Sequence, residues 1–181
     1  MKKAILTLMS SVALLGAQSA AAAEAYIAPA APWSFSGTVN VNKGIALTCD
    51  VTVDLSGPDN ASDTTPPFSH TDVDQLSADI TLSGGFLGLC ASVSVDPVPA
   101  GNISYSGTTF TLHDVFVQTI TSGDCQGDLV GTWTGSGLSV SGSLPPATAG
   151  NACTMNGTLD LDSPSSGEIS DPSDPGHAPH Q

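Results

Sequence analysis

Four histidines and a scatter of carboxylates hold most of the chemistry this chain offers. In "SHTDVD", His70, Asp72 and Asp74 fall at alternate positions, so in an extended segment all three share one side. Calcium takes clustered carboxylate oxygens, and like charges so close repel unless a cation or solvent stands between them. The EF-hand spacing and the glycine-rich calcium nonapeptide are both absent. A solvated acidic loop accounts for the same residues without a metal, which leaves His70, Asp72 and Asp74 as weak metal candidates.

Nucleophilic catalysis fares no better. His113 stands beside Asp114 in an alternating run, and His177 and His180 fall near the C-terminus. A Ser–His–Asp triad needs a serine held on a strained turn and a base oriented by an acid. No G-x-S-x-G occurs, and Gly135–Ser136–Gly137 reads as a turn. Glycosidases set two carboxylates across a cleft, among aromatic platforms for sugar. Aromatics make up only 5% of this chain, and Trp33 and Trp133 read as core residues. The expectation is therefore no enzyme, no catalytic residue and no cofactor.

The cysteines read as staples. Cys49, Cys90, Cys125 and Cys153 contain no C-x-x-C, so neither a zinc ribbon nor a thioredoxin-like motif is supported. Three pairings are open. Proximity in sequence favours Cys49 with Cys90 and Cys125 with Cys153, each bond contributing about 2–4 kcal/mol.

The elements that carry these residues are strands. In "IALTCDVTVDL", Ile45, Leu47, Cys49, Val51, Val53 and Leu55 alternate with Ala46, Thr48, Asp50, Thr52 and Asp54. A half-buried strand reads this way, because side chains on a pleated strand alternate between faces. "WSFSGTVNV" and "LSADITL" repeat the pattern, as do six further runs, with glycine-, proline- and asparagine-marked turns between them. No helical periodicity is sustained. The fold class is all-β: an antiparallel β-sandwich or barrel-like domain of about 8–10 short strands, stabilised by disulfides.

The organisation is simple. Residues 1–25 combine "MKK", the apolar "AILTLMSSVALLG" and a run of small residues, the pattern of a cleaved secretory signal. A single β domain over 26–162 follows, with a long acidic loop at 56–74. Residues 163–181 are rich in proline and acids and read as a disordered tail. No later apolar run is long enough to span a bilayer. A weak echo links "SGTVNVNKGIALTCDVTVDL" to "SGSLPPATAGNACTMNGTLDL".

Charge narrows the partners. Three Lys plus Arg stand against seventeen Asp plus Glu. Once the signal is removed, Lys43 is the one basic side chain, so nucleic acid and anionic membrane surfaces are poor partners. Outward acids such as Asp50, Asp54, Asp160 and Asp162 read as aggregation guards. The charge-free "GGFLGL" at 84–89 reads either as an exposed apolar patch or as a buried strand opening on a glycine bulge.

The order "FSGTVNV…ALTCDVTV", "ITLSGG…LC", "FVQTITSGDCQGDLVGTW" and "LSVSG…ACTMNGTLDL" resembles the protein activator of alkane oxidation family, over residues 33–162. Cys49, Cys90, Cys125 and Cys153 map onto the cysteines of that family. The insertion at 56–74 and the acidic tail depart from its pattern. The resemblance implies a non-catalytic secreted or envelope-associated protein of Gram-negative bacteria, in the periplasm or on the outer surface. It also implies a link to growth on hydrophobic substrates, adhesion or biofilm. Expected partners are a hydrophobic surface, a cell surface or further copies of the chain. Two other classes compete: a subunit of an extracellular β-sandwich fibre that donates its N-terminal segment, and a calcium-dependent carbohydrate-binding module.

Overall fold

The computed structural model describes residues 24–61, 69–121 and 123–171. Most of the signal segment, the middle of the acidic loop and the end of the tail lie outside the described residues. Twelve strands follow one another. The first five are β1 (Tyr26–Ala28), β2 (Trp33–Asn42), β3 (Ala46–Ser56), β4 (Thr71–Asp72) and β5 (Ser77–Ser83). Then come β6 (Ser94–Val95), β7 (Ile103–Ser106), β8 (Thr109–Gln118) and β9 (Cys125–Trp133). The last are β10 (Gly137–Leu144), β11 (Cys153–Ser163) and β12 (Glu168–Ser170).

The alternation of β3 shows why a sheet forms. Leu47, Cys49, Val51, Val53 and Leu55 are buried, while Thr48, Asp50 and Asp54 face solvent. Its neighbours β2 and β5 alternate in phase, so each strand adds its apolar row to the same face. On the outer face polar rows pair across strands: the Ser34 hydroxyl donates to Asp54 at 2.6 Å and Thr48 to Asn40 at 2.8 Å. Nine strands join this way in the order β5-β3-β2-β11-β10-β9-β8-β6, with β7 also on β8, every pair antiparallel.

A single face this apolar cannot stay open to water, and the sheet curls around it. Ala78 of β5 and Val98, just past β6, exchange backbone hydrogen bonds of 2.9 and 2.8 Å. The first and last strands of the path thus meet, and the structure takes the barrel-like form of the two expected. A bulge in β8 assists: Asp114 adopts φ 55° between Leu112 and Val115, which lets both of those side chains point inward.

Strand register sorts the connections to two ends. One end holds the β2–β3 turn, the crossing from β5 to β6, and the β8–β9 and β10–β11 loops. Both disulfides lie there, Cys49–Cys90 and Cys125–Cys153, as sequence proximity favoured. The opposite end is aromatic. Trp33, Phe35 and Trp133 pack with ring centroids 5.9–6.3 Å apart, and the Trp33 indole donates to Pro29 at 2.8 Å.

A second, three-stranded sheet, β12-β1-β4, covers that aromatic end. Two expectations change here. The acidic segment 56–74 is not loop throughout: Ser56 closes β3, Thr71–Asp72 forms β4, and a 3-10 turn follows at Val73–Gln75. The fully buried Thr71 is the cause, since its hydroxyl accepts from the Ala31 amide at 3.0 Å and donates to Pro58 at 2.7 Å. Within the segment 163–181 expected as a tail, Glu168–Ser170 docks on β1 and buries Ile169, while residues 172–181 lie outside the described residues. Gly167 lies so close to the Trp33 ring that a Cβ there would overlap it. The N-terminal segment that a fibre subunit would donate is paired within its own chain, β1 between β12 and β4.

Candidate functional site

The disulfide end carries most of the exposed large apolar side chains. Among the described residues these are Ile45 (51% exposed), Phe86 (73%), Leu87 (84%), Ile120 (46%) and Val130 (37%). All but Val130 lie on the connections of that end. Ile45 shares the inward parity of β3 and stands one residue outside the strand, so the wall below it is buried and it is not.

"GGFLGL" is an exposed turn, not a buried strand. Gly84 and Gly85 leave β5 at φ 72° and 71°, and a 3-10 segment spans Phe86–Ser92. The Cys49–Cys90 bond ties this segment to β3, and Gly85 packs against the Cys90 sulfur. Leu87 sits at φ 54° without being glycine. A bulky residue in the left-handed region costs about 1–3 kcal/mol, and such strain gathers at functional sites.

Below this end the barrel interior holds a cavity of about 110 Å³. Its walls are the inward rows of β2, β3, β5, β8, β10 and β11, including Val39, Val53, Ile80, Leu112, Val140 and Leu159. Asn42, Lys43, Ile45, Thr119, Ile120 and Thr121 line it at the disulfide end. No carboxylate lines it. Lys43, the one Lys or Arg among the described residues, is only 9% exposed and donates from Nζ to the Thr119 hydroxyl at 3.2 Å. That hydroxyl also lies within hydrogen-bond reach of the Thr121 and Gly123 carbonyls, 3.1 Å from each.

The structure also assembles a constellation that the sequence did not single out. The β8 bulge sets His113 against Asp128 of β9 and Ser104 of β7. Ser104 Oγ lies 2.8 Å from His113 Nε2, and His113 Nδ1 lies 3.2 Å from an Asp128 carboxylate oxygen. The other Asp128 oxygen accepts from the Asp114 amide at 3.2 Å. The order Ser–His–Asp matches a charge-relay triad, but the surroundings do not. Ser104 is exposed in a regular strand, and the His113 and Asp128 side chains are 41% and 55% exposed. A nucleophile open to water in an unstrained strand lacks the sheltered, preorganised setting that activates one.

The metal candidates are only partly brought together. Asp72 and Asp74 cluster with Glu24, their oxygens within 4.8 Å of one another, while His70 lies 3.8 Å from Asp72 and edge-on to Tyr26. Asn60 donates to Asp72 at 2.8 Å. Glu24 and Asp74 are exposed, and an exposed acidic trio of this kind defines no cation site by itself.

Taken together, the fold and site define a small disulfide-stapled, barrel-like curl of antiparallel sheet with a mostly aliphatic interior and an apolar rim at one end. The chain belongs to the alkane oxidation protein activator PraA/PraB-like family, whose model matches residues 1–167. The match takes in the main sheet and stops at the residue that leans on Trp33. Searches of curated proteins and of solved structures returned no match.

Proposed function

We propose that this protein is an exported, non-catalytic accessory factor of alkane use that works at the boundary with a hydrophobic phase. The family description supports an activator, and activation without turnover suits a molecule whose Ser104–His113–Asp128 constellation lies open to water. The observation that carries the reading is the Phe86–Leu87 turn. It presents two large apolar side chains to solvent, in a strained conformation held by a disulfide, on a chain with a formal net charge of −14. Exposed apolar groups concentrated in one region mark a contact surface. Here the contact is a liquid aliphatic phase, which asks for apolar area and no hydrogen-bonding partner. Calcium and sugar have no role in this reading, and adhesion or biofilm effects follow from attachment to oily surfaces.

Pendant-drop tensiometry at a hexadecane–water interface tests it. The mature protein lowers the tension, and Phe86→Ser/Leu87→Ser loses most of that effect while keeping its circular dichroism spectrum. Equal activity of the double variant would remove the turn from the mechanism. Steady hydrolysis of p-nitrophenyl esters that disappears in Ser104→Ala would overturn the non-catalytic assignment.

A further inference from the structure

Lys43 occupies a place that the fold does not explain. A buried charge is costly unless it is paired, and in an acid-rich chain a carboxylate partner is easy to supply. Among the described residues no carboxylate lies within ion-pair distance of its Nζ, and its one acceptor in those residues is the Thr119 hydroxyl. An ammonium carries three donors. The side chain is more than nine-tenths buried and lines a cavity walled mostly by aliphatic side chains, at the end where Asn42, Thr119 and Thr121 also border it and Ile45 and Ile120 stand exposed. A lysine serving solubility would reach into water, as its long stem allows.

We propose that the barrel interior binds a single linear aliphatic carboxylate, its tail among Val53, Ile80, Leu112 and Val140 and its head on the Lys43 ammonium. Barrels of about eight strands are wide enough for filled side chains or one small ligand. The cavity of about 110 Å³ is somewhat smaller than the roughly 150 Å³ apolar cavity known to take up benzene. It therefore takes part of a medium-length chain, and the remaining methylenes lie between Ile45 and Ile120. That placement gives both exposed isoleucines a partner. The carboxylate completes the unused donors of Lys43 in a charge-assisted bond, stronger than a neutral one. An amine or a bare alkane gains nothing there, so the site distinguishes an oxidised aliphatic from its parent. This inference stands apart from the surface reading, because it uses the inside of the barrel and not the Phe86–Leu87 turn.

Isothermal titration of the disulfide-intact protein with decanoate, decanol and decylamine, all below their aggregation concentrations, decides the matter. Decanoate is expected to bind one to one, about tenfold or more tighter than decanol, with decylamine weakest. Lys43→Met brings decanoate to the level of decanol, and Lys43→Arg keeps the preference. Gly131 lines the cavity and has ordinary φ, with nothing closer than 3.7 Å to an added Cβ. Gly131→Leu therefore fills the space with little backbone strain and abolishes binding of all three. The Phe86→Ser/Leu87→Ser variant still binds decanoate. Absence of decanoate binding to the wild type, or undiminished binding by Lys43→Met or Gly131→Leu, would sink the proposal. Loss of binding in the turn variant would do the same, since it would place the ligand on the outer surface.

Discussion

At one end of the barrel, Trp33, Phe35 and Trp133 fill the space between strands and a three-stranded sheet lies over them. At the other, the wall ends in Ile45 and Ile120, and the connections are held by two disulfides. Both ends need fixing, and they are fixed by different physics. Aromatic packing closes by occupying volume, so it leaves nothing for a ligand. Cross-links restrain the chain without occupying the lumen, so an end held by cystines can stay apolar, open and ordered. Burial of Trp33 and exposure of Leu87 on one small domain are two sides of that division of labour.

The comparison fails if the aromatic end is not the stronger closure. Trp33→Ala should cost about 3–5 kcal/mol in urea unfolding, the largest effect of any single change considered. A loss below that of a disulfide would place the closure elsewhere. Removing the Cys125–Cys153 bond by double alanine substitution should cost about 2–4 kcal/mol. Amide exchange should then rise in the β8–β9 and β10–β11 loops and leave β12 unchanged; a rise at β12 would mean the ends are coupled. The smallest effect runs the other way. Leu87→Gly relieves a left-handed leucine and should stabilise by about 1 kcal/mol, while weakening adsorption to oil. Destabilisation would show that the Leu87 side chain packs against something and is not free to serve a surface.

Much of the wall was legible from single runs of residues. The phase of β3 and β2 and the turns between strands follow from local alternation and spacing, while proximity favoured the cysteine pairs that form without deciding among the three possibilities. The β8 bulge was written there too, as a change of parity: Phe110 and Leu112 face inward on even positions, Val115 and Val117 on odd ones. What was not legible depends on closure. Lys43 in "NKG" reads as an ordinary turn lysine, and only the curl of the sheet brings Thr119, far along the chain, against it. Ser104, His113 and Asp128 come from three strands, and nothing local distinguishes that serine or that aspartate from the many others. Short β4 and β12 were missed because each rests on buried residues that no alternation announces, Thr71 in β4 and Ile169, followed by the buried Ser170, in β12. The acidic cluster was half seen, since Glu24 lies far from Asp72 and Asp74 in sequence.

The meeting of Ala78 with Val98 has a mechanical meaning. The β11–β2 and β2–β3 ladders run along most of each strand, β9 and β10 pair at only three positions, and the circle is completed by one bridge with two hydrogen bonds. Parted there, the two edges of the sheet stay tethered, because Cys90 is bonded to Cys49 of β3 and only three residues separate it from β6. The seam is a hinge pinned by a cystine: it can gape toward the lumen, but the sheet cannot come away flat.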